Sequence, residues 1–414
     1  MKIWLAVLGE PTALDGSNPR YLRTAIIAKI LASRGHNITF WTSTMNHVKK
    51  TQRFNKTECV NSSDLSWVYL YGMPYRKNIS LGRILHNITS AKSFDKVAND
   101  YSAPDVIVCS CPTIELTYAM AAFAKKENIP IIIDIRDFWP DIFLERLPKI
   151  IHPFIKPFIN SQNSKLSFAI ESSSAVTGIS DQSIDWAISK SKRKRHKDDI
   201  AFPLAYDATQ PNIKDIETSE LFWDELGITK DKVIFSFFGN LSSRYELEAV
   251  INAAKNIPES LRSKIKIVLC GDGEMHSHLC TASKDLTHVC LAGWVEKPQI
   301  WTLLQRSTAG LLPYPSSLDF TRAYPNKIGE YLSAGLPIIS SIKGAPKELI
   351  EKEKCGYHYN NNNHHELSKI IINICNNTQE NDALRANCKG LYNKLFNSTI
   401  VYKNYCDHIE KIAK

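Results

Sequence analysis

Charged side chains follow an apolar run directly in the stretch from Ile131 to Asp141. The run Ile131–Ile133 leads into Asp134, Arg136 and Asp137. Charges at the end of a buried strand are unfavourable unless they are paired or take part in function. We therefore consider Arg136 and Asp137 candidate functional residues.

A second stretch, Phe235–Leu247, places a cation beside a predicted helix start. Its apolar run ends at Gly239, and the loop that follows carries Asn240 and Arg244. The N-terminus of a helix attracts anions because its first backbone N–H groups are unpaired. The stretch therefore predicts a loop that binds an anionic group such as phosphate.

A third stretch, Tyr324–Leu332, enters a predicted helix Lys327–Ala334 that stops at Gly335. Lys327 and Glu330 are one helical turn apart and so lie on the same side. A cation for phosphate and a carboxylate for ribose hydroxyls, at this spacing, would together hold a sugar nucleotide.

Other nucleotide and metal motifs are absent from the sequence or incomplete. It contains no Gly-x-x-x-x-Gly-Lys-Ser/Thr run, which argues against a P-loop enzyme. Gly271–Gly273 follows a predicted strand, but His276 stands where a dinucleotide fingerprint needs a third glycine. We interpret the pair as a tight turn at the carboxyl edge of a sheet, where ligands collect. His276, His278 and Cys280 do not share one helix face, so no structural zinc is expected.

The charge of the chain suggests a polyanionic partner. Its 414 residues include 51 basic and 42 acidic ones, for a net charge of +9. This excess suits nucleic acid, an anionic membrane surface or a phosphorylated substrate. The basic run Lys190–Lys197 has no interleaved aromatic residue, which argues against stacking on bases, and we expect no nucleic-acid partner.

The stretch Ile150–Ile159 suggests a membrane surface as partner, because it mixes Phe and Ile with cations. Arg76 and Arg83 add positive charge in the same half of the chain. A proline-kinked buried segment explains the same stretch equally well. No apolar run reaches the roughly 18 residues of a membrane-spanning helix. The apolar start of the chain predicts a buried first strand rather than a signal peptide.

Alternating apolar runs and amphipathic stretches must position these residues. Helices are predicted over Arg20–Arg34 and Thr113–Glu127, and strands separated by helices indicate a parallel sheet. The predicted strands of the first half are Ile3–Leu8, Asn37–Thr42, Ser66–Tyr71, Val106–Cys109, Ile129–Ile135 and Ala175–Ile179. After a polar region, the predicted strands are Val233–Phe238, Ile265–Leu269, His288–Ala292, Ala309–Leu312 and Pro337–Ser341. The sequence thus predicts two α/β halves. A final helix, Thr399–Ile412, could pack on either half.

Together these residues resemble the retaining glycosyltransferases of family 4, especially the branch that serves bacterial O-antigen and capsular polysaccharide synthesis. The resemblance runs from Gly9–Pro11 through Arg34–Ser43 to Lys327–Pro337, and the last block is its most specific part. It implies an α/β fold of the GT-B type, with two Rossmann-like domains facing across a cleft and a C-terminal helix that could return to the first domain.

The resemblance also implies which part of the chain binds which substrate. We expect an acceptor-binding domain over 1–205, a nucleotide-sugar domain over 206–395 and a C-terminal helix over 396–414. Glu330 matches the second glutamate of the family's Glu-x7-Glu motif, whereas Arg322 stands in place of the first. The candidate catalytic residues are Arg244, Lys327, Asp137 and Arg136. The candidate donor-binding residues are Glu330, Asn326, Asn240, Gly239, Gly271, Trp294 and Arg322.

The expected activity is transfer of a hexosyl or N-acetylhexosaminyl group, with retention, from a nucleoside-diphosphate sugar to a saccharide acceptor linked to polyprenyl diphosphate. The nucleotide sugar is a substrate, and neither a cofactor nor a metal is expected. We expect a cytoplasmic protein, peripheral on the inner face of the plasma membrane. A nucleotide-sugar 2-epimerase of the same fold and a non-catalytic membrane scaffold remain alternatives.

Overall fold

The computed structural model of the chain describes residues 1–16, 21–62, 65–78 and 80–414. The described chain divides into two compact units. The first unit comprises Met1–Pro203 and Val401–Lys414, and the second comprises Leu204–Ile400. The boundaries predicted from the sequence are 205/206 and 395/396.

The first unit is built on a seven-stranded sheet with the order β5-β6-β2-β1-β7-β8-β9. All neighbours in it are parallel except β5, which is antiparallel to β6. A separate antiparallel hairpin, β3–β4, follows β2. The strands are β1 Lys2–Ala6, β2 Asn37–Ser43, β3 Met45–Asn46, β4 Thr51–Gln52, β5 Glu58–Asn61, β6 Ser66–Leu70, β7 Val106–Cys111, β8 Ile131–Ile135 and β9 Ala175–Gly178. Every residue of β7 and β8 is buried, which explains why these runs are apolar almost throughout.

Helices connect the parallel strands of the first unit. They are α1 Arg23–Ser33, α2 Leu81–Val97, α3 Ile114–Glu127, α4 Asp141–Arg146, α5 His152–Glu171 and α6 Asp181–Ser189. Their ends follow local rules: the Ser80 side chain caps α2, and α3 ends at Asn128, whose φ of 55° is left-handed. The predicted helix Arg20–Arg34 corresponds to α1, while Arg20 itself lies outside the described residues.

The second unit contains a six-stranded parallel sheet with the order β12-β11-β10-β13-β14-β15. Its strands are β10 Val233–Phe238, β11 Ile265–Cys270, β12 Val289–Gly293, β13 Ala309–Leu312, β14 Ile338–Ser340 and β15 Gly356–His358. Its helices are α7 Ile213–Glu225, α8 Leu247–Lys255, α9 Glu259–Arg262, α10 His276–Ala282, α11 Lys297–Arg306, α12 Leu318–Thr321, α13 Asn326–Ser333, α14 Ala345–Glu353, α15 His364–Asn376 and α16 Thr378–Leu391. A π-helical turn, Tyr392–Phe396, extends α16.

The final helix, α17 (Ser398–Ile412), returns the chain to the first unit from Val401 onwards. The Tyr405 ring stacks on Phe202 with 4.5 Å between centroids. Arg34 forms ion pairs of 2.8 Å with Asp407 and 3.0 Å with Glu410. The apolar and charged faces of α17 therefore both contact the N-terminal half, which settles which half this helix packs on.

Among the helices of the described ranges, none has both the length and the apolar content needed to cross a membrane.

Candidate functional site

The loops after β10 and β11 in the second unit touch through their backbones. A Cβ atom on Gly271 would lie 1.8 Å from the carbonyl oxygen of Gly239, so no larger residue fits there. Both glycines have positive φ, 146° at Gly239 and 133° at Gly271. The Leu241 N–H donates to the carbonyl of Asp272 at 2.8 Å, which locks the two loops together.

The same carboxyl edge of the sheet continues to β12. The Gly271 N–H donates to the Gly293 carbonyl at 2.6 Å, so the ends of β10, β11 and β12 are joined in a row. Trp294, the next residue, is 71% exposed and donates its indole N–H to Glu296 at 2.8 Å. Asn240 is also exposed, at the end of β10. These donor-binding candidates therefore share one edge.

Helix α13 brings Lys327 over this edge. A Cβ atom on Gly239 would lie 2.8 Å from Lys327 Nζ, and the ammonium lies 5.2 Å from the Phe238 ring centroid. Burial lowers the pKa of Lys327, and the nearby Glu330 carboxylate only partly opposes that shift. Within the described parts of the chain, the Lys327 side chain makes no hydrogen bond and no ion pair. The site therefore holds a partly desolvated cation whose hydrogen-bonding capacity is available to a ligand.

Tyr331 fixes the orientation of α13 on the sheet. Its ring fills the space that Gly310 leaves, and its hydroxyl donates to the Leu311 carbonyl at 2.9 Å. Lys327 and Tyr331 are four residues apart, so anchoring Tyr331 against the sheet also directs Lys327 towards it. Glu330, one turn after Lys327, is partly exposed, and Asn326 is exposed at the start of the helix.

Arg244 is engaged within the second unit. Its guanidinium forms an ion pair with Asp319 and lies 4.7 Å from the centroid of the Phe320 ring. Tyr245 stacks on Tyr314 at 4.3 Å beside this pair. Arg244 thus connects the loop after β10 to the short helix α12, and a phosphate would have to compete with Asp319 for it. Arg322 lies at the C-terminal end of the same helix and is partly buried.

Sequence reasoning did not identify the aromatic residues Tyr314 and Phe320 or the contact made by Asn361. Asn361 donates to Glu246 at 2.9 Å and accepts a hydrogen bond from Ser316 at 2.7 Å. Asn361 lies in the run Asn360–Asn363, and nothing in the spacing of that run signals a packed position.

In the first unit, the charges after β8 belong to a buried network. Arg136 donates from Nε to Asp134 at 2.8 Å, and from its two terminal nitrogens to Glu10 and to Thr24, the latter at 2.8 Å. Arg23 pairs with Asp134 from the other side at 3.1 Å.

Burial alone would lower the pKa of Arg136. The Asp134 and Glu10 carboxylates outweigh this effect, so the pKa of Arg136 is raised. Burial alone would raise the pKa of Asp134. The guanidinium groups of Arg23 and Arg136 outweigh this effect, so the pKa of Asp134 is lowered. Each side of the network therefore holds the other in its charged form.

Glu10 joins this network to the start of α1. Its carboxylate accepts the backbone N–H groups of Thr24 at 3.1 Å and Ala25 at 3.2 Å, which are unpaired at a helix N-terminus. Asp137 accepts the backbone N–H of Phe138 at 2.9 Å. The contacts of Arg136 are those of a residue that holds the strand ends together, and the catalytic roles of Arg136 and Asp137 stay predictions.

No three His, Cys, Asp or Glu side chains converge as a metal site in the parts of the chain that the structure describes. His278 of the candidate triplet pairs with Glu248 at 2.7 Å, and Cys280 lies 3.9 Å from His276.

Comparison with known proteins bears on this site. Residues 219–390, all within the second unit, match the family model described as glycosyl transferases group 1. A search of curated protein sequences found no match.

Solved structures match the whole chain. The Anabaena protein Alr3699/HepE in complex with UDP is 15% identical, with a TM-score of 0.65 and 99% of each chain covered. Sucrose-phosphate synthase from Thermosynechococcus elongatus is 14% identical, with a TM-score of 0.70, covering 99% of this chain and 98% of that one. WaaG, a glycosyltransferase involved in lipopolysaccharide biosynthesis, is 13% identical, with a TM-score of 0.61, covering 98% of this chain and 99% of that one.

The chain therefore has the α/β fold of GT-B proteins, as its sequence predicts. Residues 219–390, within the second unit, are similar to the group 1 glycosyl transferases.

Proposed function

We propose that this protein is a retaining glycosyltransferase of family 4 that takes a sugar from a nucleoside-diphosphate sugar. The observation that carries the proposal is the Lys327 ammonium, which is held over Gly239 without a hydrogen-bond partner among the described residues. A departing diphosphate is the kind of group that such a cation stabilises. The group 1 match covers the segment that contains it.

The proposed chemistry needs no general base. Lys327 lies in the first turn of α13, where the helix dipole adds partial positive charge, and together they would stabilise the negative charge that develops on the leaving diphosphate. The leaving phosphate would take the proton of the acceptor hydroxyl on the same face of the sugar, which gives retention. Arg244 would contribute a second cation after exchanging Asp319 for phosphate.

For the donor we propose a uridine nucleotide. Alr3699/HepE has been crystallised with UDP and with UDP-glucose, at 15% identity to this chain. Glu330 would accept hydrogen bonds from the ribose hydroxyls, and Asn240, Asn326, Trp294 and Arg322 would line the remainder of the donor site.

A thermal-shift screen of nucleotide sugars, followed by product analysis, tests the donor proposal. A ligand present at about 100 times its dissociation constant stabilises the folded protein by roughly 2.7 kcal/mol. We expect stabilisation by UDP and by at least one UDP-sugar. The absence of any shift would favour a scaffold, and release of an epimerised nucleotide sugar without acceptor would favour the epimerase.

For the acceptor we propose a saccharide linked to polyprenyl diphosphate, used in O-antigen or capsule synthesis at the inner face of the plasma membrane. The exposed residues of the segment Ile150–Ile159 support membrane contact: Ile150 is 80% exposed and Phe154 is 82% exposed, whereas Ile159 is buried. Phe158 instead packs towards Phe143, with 6.1 Å between ring centroids. Lys156 is exposed on the same segment, and Lys149, directly before it, is exposed as well.

Flotation with vesicles tests this contact. We expect the protein to bind anionic but not neutral vesicles. This binding should weaken at high salt, because the Debye length shortens to a few ångströms. Phe154→Ser should reduce binding, whereas Phe158→Ser should mainly lower stability because that ring packs inside the unit. Binding that ignores both lipid charge and salt would contradict the electrostatic part.

A further inference from the structure

A cationic cluster lies at the sheet edge of the first unit, apart from the buried network around Arg136. We name it the Lys50–Arg83 cluster; its members are Lys50, Arg83, His47, Tyr75 and Asn78. Arg83 donates to the Tyr75 hydroxyl at 2.7 Å and to His47 Nδ1 at 2.9 Å. The Lys50 ammonium lies 4.7 Å from the Tyr75 ring centroid and donates to the Asn78 side chain.

The two cations of this cluster have no acidic partner among the residues that the structure describes. Neither Lys50 nor Arg83 makes an ion pair with any described residue, and Arg83 Nε is buried without a hydrogen-bond partner. The carboxylate of Asp15 lies in the same region, but Arg53 pairs with it at 2.6 Å. Two nearby cations without a counterion repel each other, and an anion bound between them would relieve that repulsion.

The histidines of this region do not supply additional charge at neutral pH. Burial, reinforced by the charge of Arg83, lowers the pKa of His47 to about 4. Burial also lowers the pKa of His86, the next histidine of the region, to about 4. Neutral His47 can accept the Arg83 hydrogen bond and hold the guanidinium in place.

Local structure holds the cluster in position. Lys50 sits in the hairpin β3–β4 with a left-handed φ of 57°, and its N–H donates to the Asn46 carbonyl at 2.9 Å. Non-glycine residues adopt this conformation only where the surrounding structure enforces it. Arg83 lies in the first turn of α2, whose capped N-terminus adds partial positive charge. Both elements follow the carboxyl ends of strands, β2 and β6, where ligands of parallel sheets bind.

We infer that the Lys50–Arg83 cluster binds the phosphate or diphosphate group of the acceptor. Identifying the ligand as the acceptor rests on the proposed transferase function. The anion site itself is inferred from the contacts described above. Val48 and Leu81, within two residues of Lys50 and Arg83, are 76% and 79% exposed. Apolar side chains beside an anion site suit a phosphate that carries a lipid chain.

Calorimetric titration of the full-length protein with inorganic pyrophosphate tests the site, with UDP present at saturation to occupy the proposed donor site. Lys50→Gln and Arg83→Gln should each weaken pyrophosphate binding about tenfold, the usual effect of losing one charged hydrogen bond. Lys77→Gln is the matched control, because Lys77 is exposed nearby and outside the cluster, and it should change affinity less than about twofold.

A second arm distinguishes a lipid-borne phosphate from a soluble one. Phosphatidylcholine vesicles with and without polyprenyl diphosphate are offered to the same variants. Loss of the polyprenyl-dependent binding in Lys50→Gln identifies the lipid-borne group, whereas loss confined to pyrophosphate identifies a soluble one, and both support the site.

Binding that is unchanged in both arms for Lys50→Gln and Arg83→Gln overturns the inference. Melting temperatures are recorded for each variant, and Lys50→Gln decides the outcome if Arg83→Gln fails to fold. If UDP does not bind but the pyrophosphate affinity still falls, the donor proposal fails while the anion site stands.

Discussion

The end of β8 in the first unit and the glycine-lined sheet edge of the second unit differ in how charge is balanced. In the first unit, Arg136 is held by Asp134, Glu10 and Thr24, so its charge is balanced inside the fold. In the second unit, Lys327 is partly desolvated over Gly239 and has no hydrogen-bond partner among the described residues. Charged side chains that reach the carboxyl edge of a sheet therefore differ in what they can offer to a ligand.

The difference extends to the backbone. In the second unit, three neighbouring strand ends carry Gly239, Gly271 and Gly293, and the first two approach so closely that a side chain is excluded at Gly271. In the first unit, the strand end near Arg136 is filled by polar side chains that pair with one another. An edge lined by glycine leaves room for a ligand, whereas an edge filled by a paired network is already occupied.

The largest expected effect tests the balanced edge. Arg136→Met should lower the free energy of unfolding of the first unit by about 3–5 kcal/mol, because Glu10 would remain buried without its cation and Asp134 would keep only Arg23. Denaturant unfolding measures it. Arg34→Ala, which breaks two more exposed ion pairs of the same unit, should lose less than about 1 kcal/mol. Loss of turnover with unchanged stability would instead assign Arg136 a catalytic role.

The next effect tests the close contact of the two glycine loops. Gly271→Ala should destabilise the second unit by about 2–3 kcal/mol, since the new Cβ would overlap the Gly239 carbonyl and φ is positive. Gly390→Ala is the control: its site in α16 is open, and it should stabilise by about 0.5–1 kcal/mol. Equal stabilities of the two variants would refute the backbone contact.

The third prediction concerns the unbalanced cation. Lys327→Ala should reduce turnover at least about tenfold, which corresponds to one charged contact of about 1.5–3 kcal/mol, with no loss of melting temperature. Lys264→Ala, an exposed lysine at the opposite edge of the same sheet, should leave turnover unchanged. A melting temperature that falls with activity would indicate a structural ion pair instead.

The same residue predicts a pH dependence. Because burial lowers the pKa of Lys327, its ammonium is lost at a lower pH than that of an ordinary lysine. Activity should therefore fall on the alkaline side below the usual lysine range. Lys327→Arg should move that decline to higher pH, because an arginine keeps its charge.

The smallest effect concerns Glu330. Glu330→Gln should weaken binding of UDP about fivefold while changing turnover less, because an amide would lose the charge-assisted bonds that we propose Glu330 makes to ribose hydroxyls. Calorimetric titration with UDP alone measures it.

Arg244→Ala shows whether the cation paired with Asp319 contributes to catalysis. We expect a loss of turnover of about tenfold. A loss confined to stability would limit Arg244 to connecting α12 to its loop.

Several elements could be predicted from sequence because their causes are local. The apolar runs that became β8 and β10 fill the interior of parallel sheets, and Lys327 and Glu330 share a side of α13 because of helical periodicity. The edge strand β5, with the burial pattern of a partly exposed strand, was missed because its residues alternate weakly. The order of the strands could not be predicted, since it depends on packing rather than on any single segment.

What the sequence alone determined is the set of charges, the glycines and the alternation of strands and helices that brings them to sheet edges. Only the tertiary structure decided which charges are balanced. Arg136 finds Glu10 at a separation of 126 residues, and Arg244 finds Asp319 at a separation of 75. Lys327 has no such partner among the described residues, although nothing in its neighbouring sequence distinguishes it from Arg136 and Arg244. The physical reason is that ion pairing acts over a few ångströms in space, and folding alone sets which distant residues come that close.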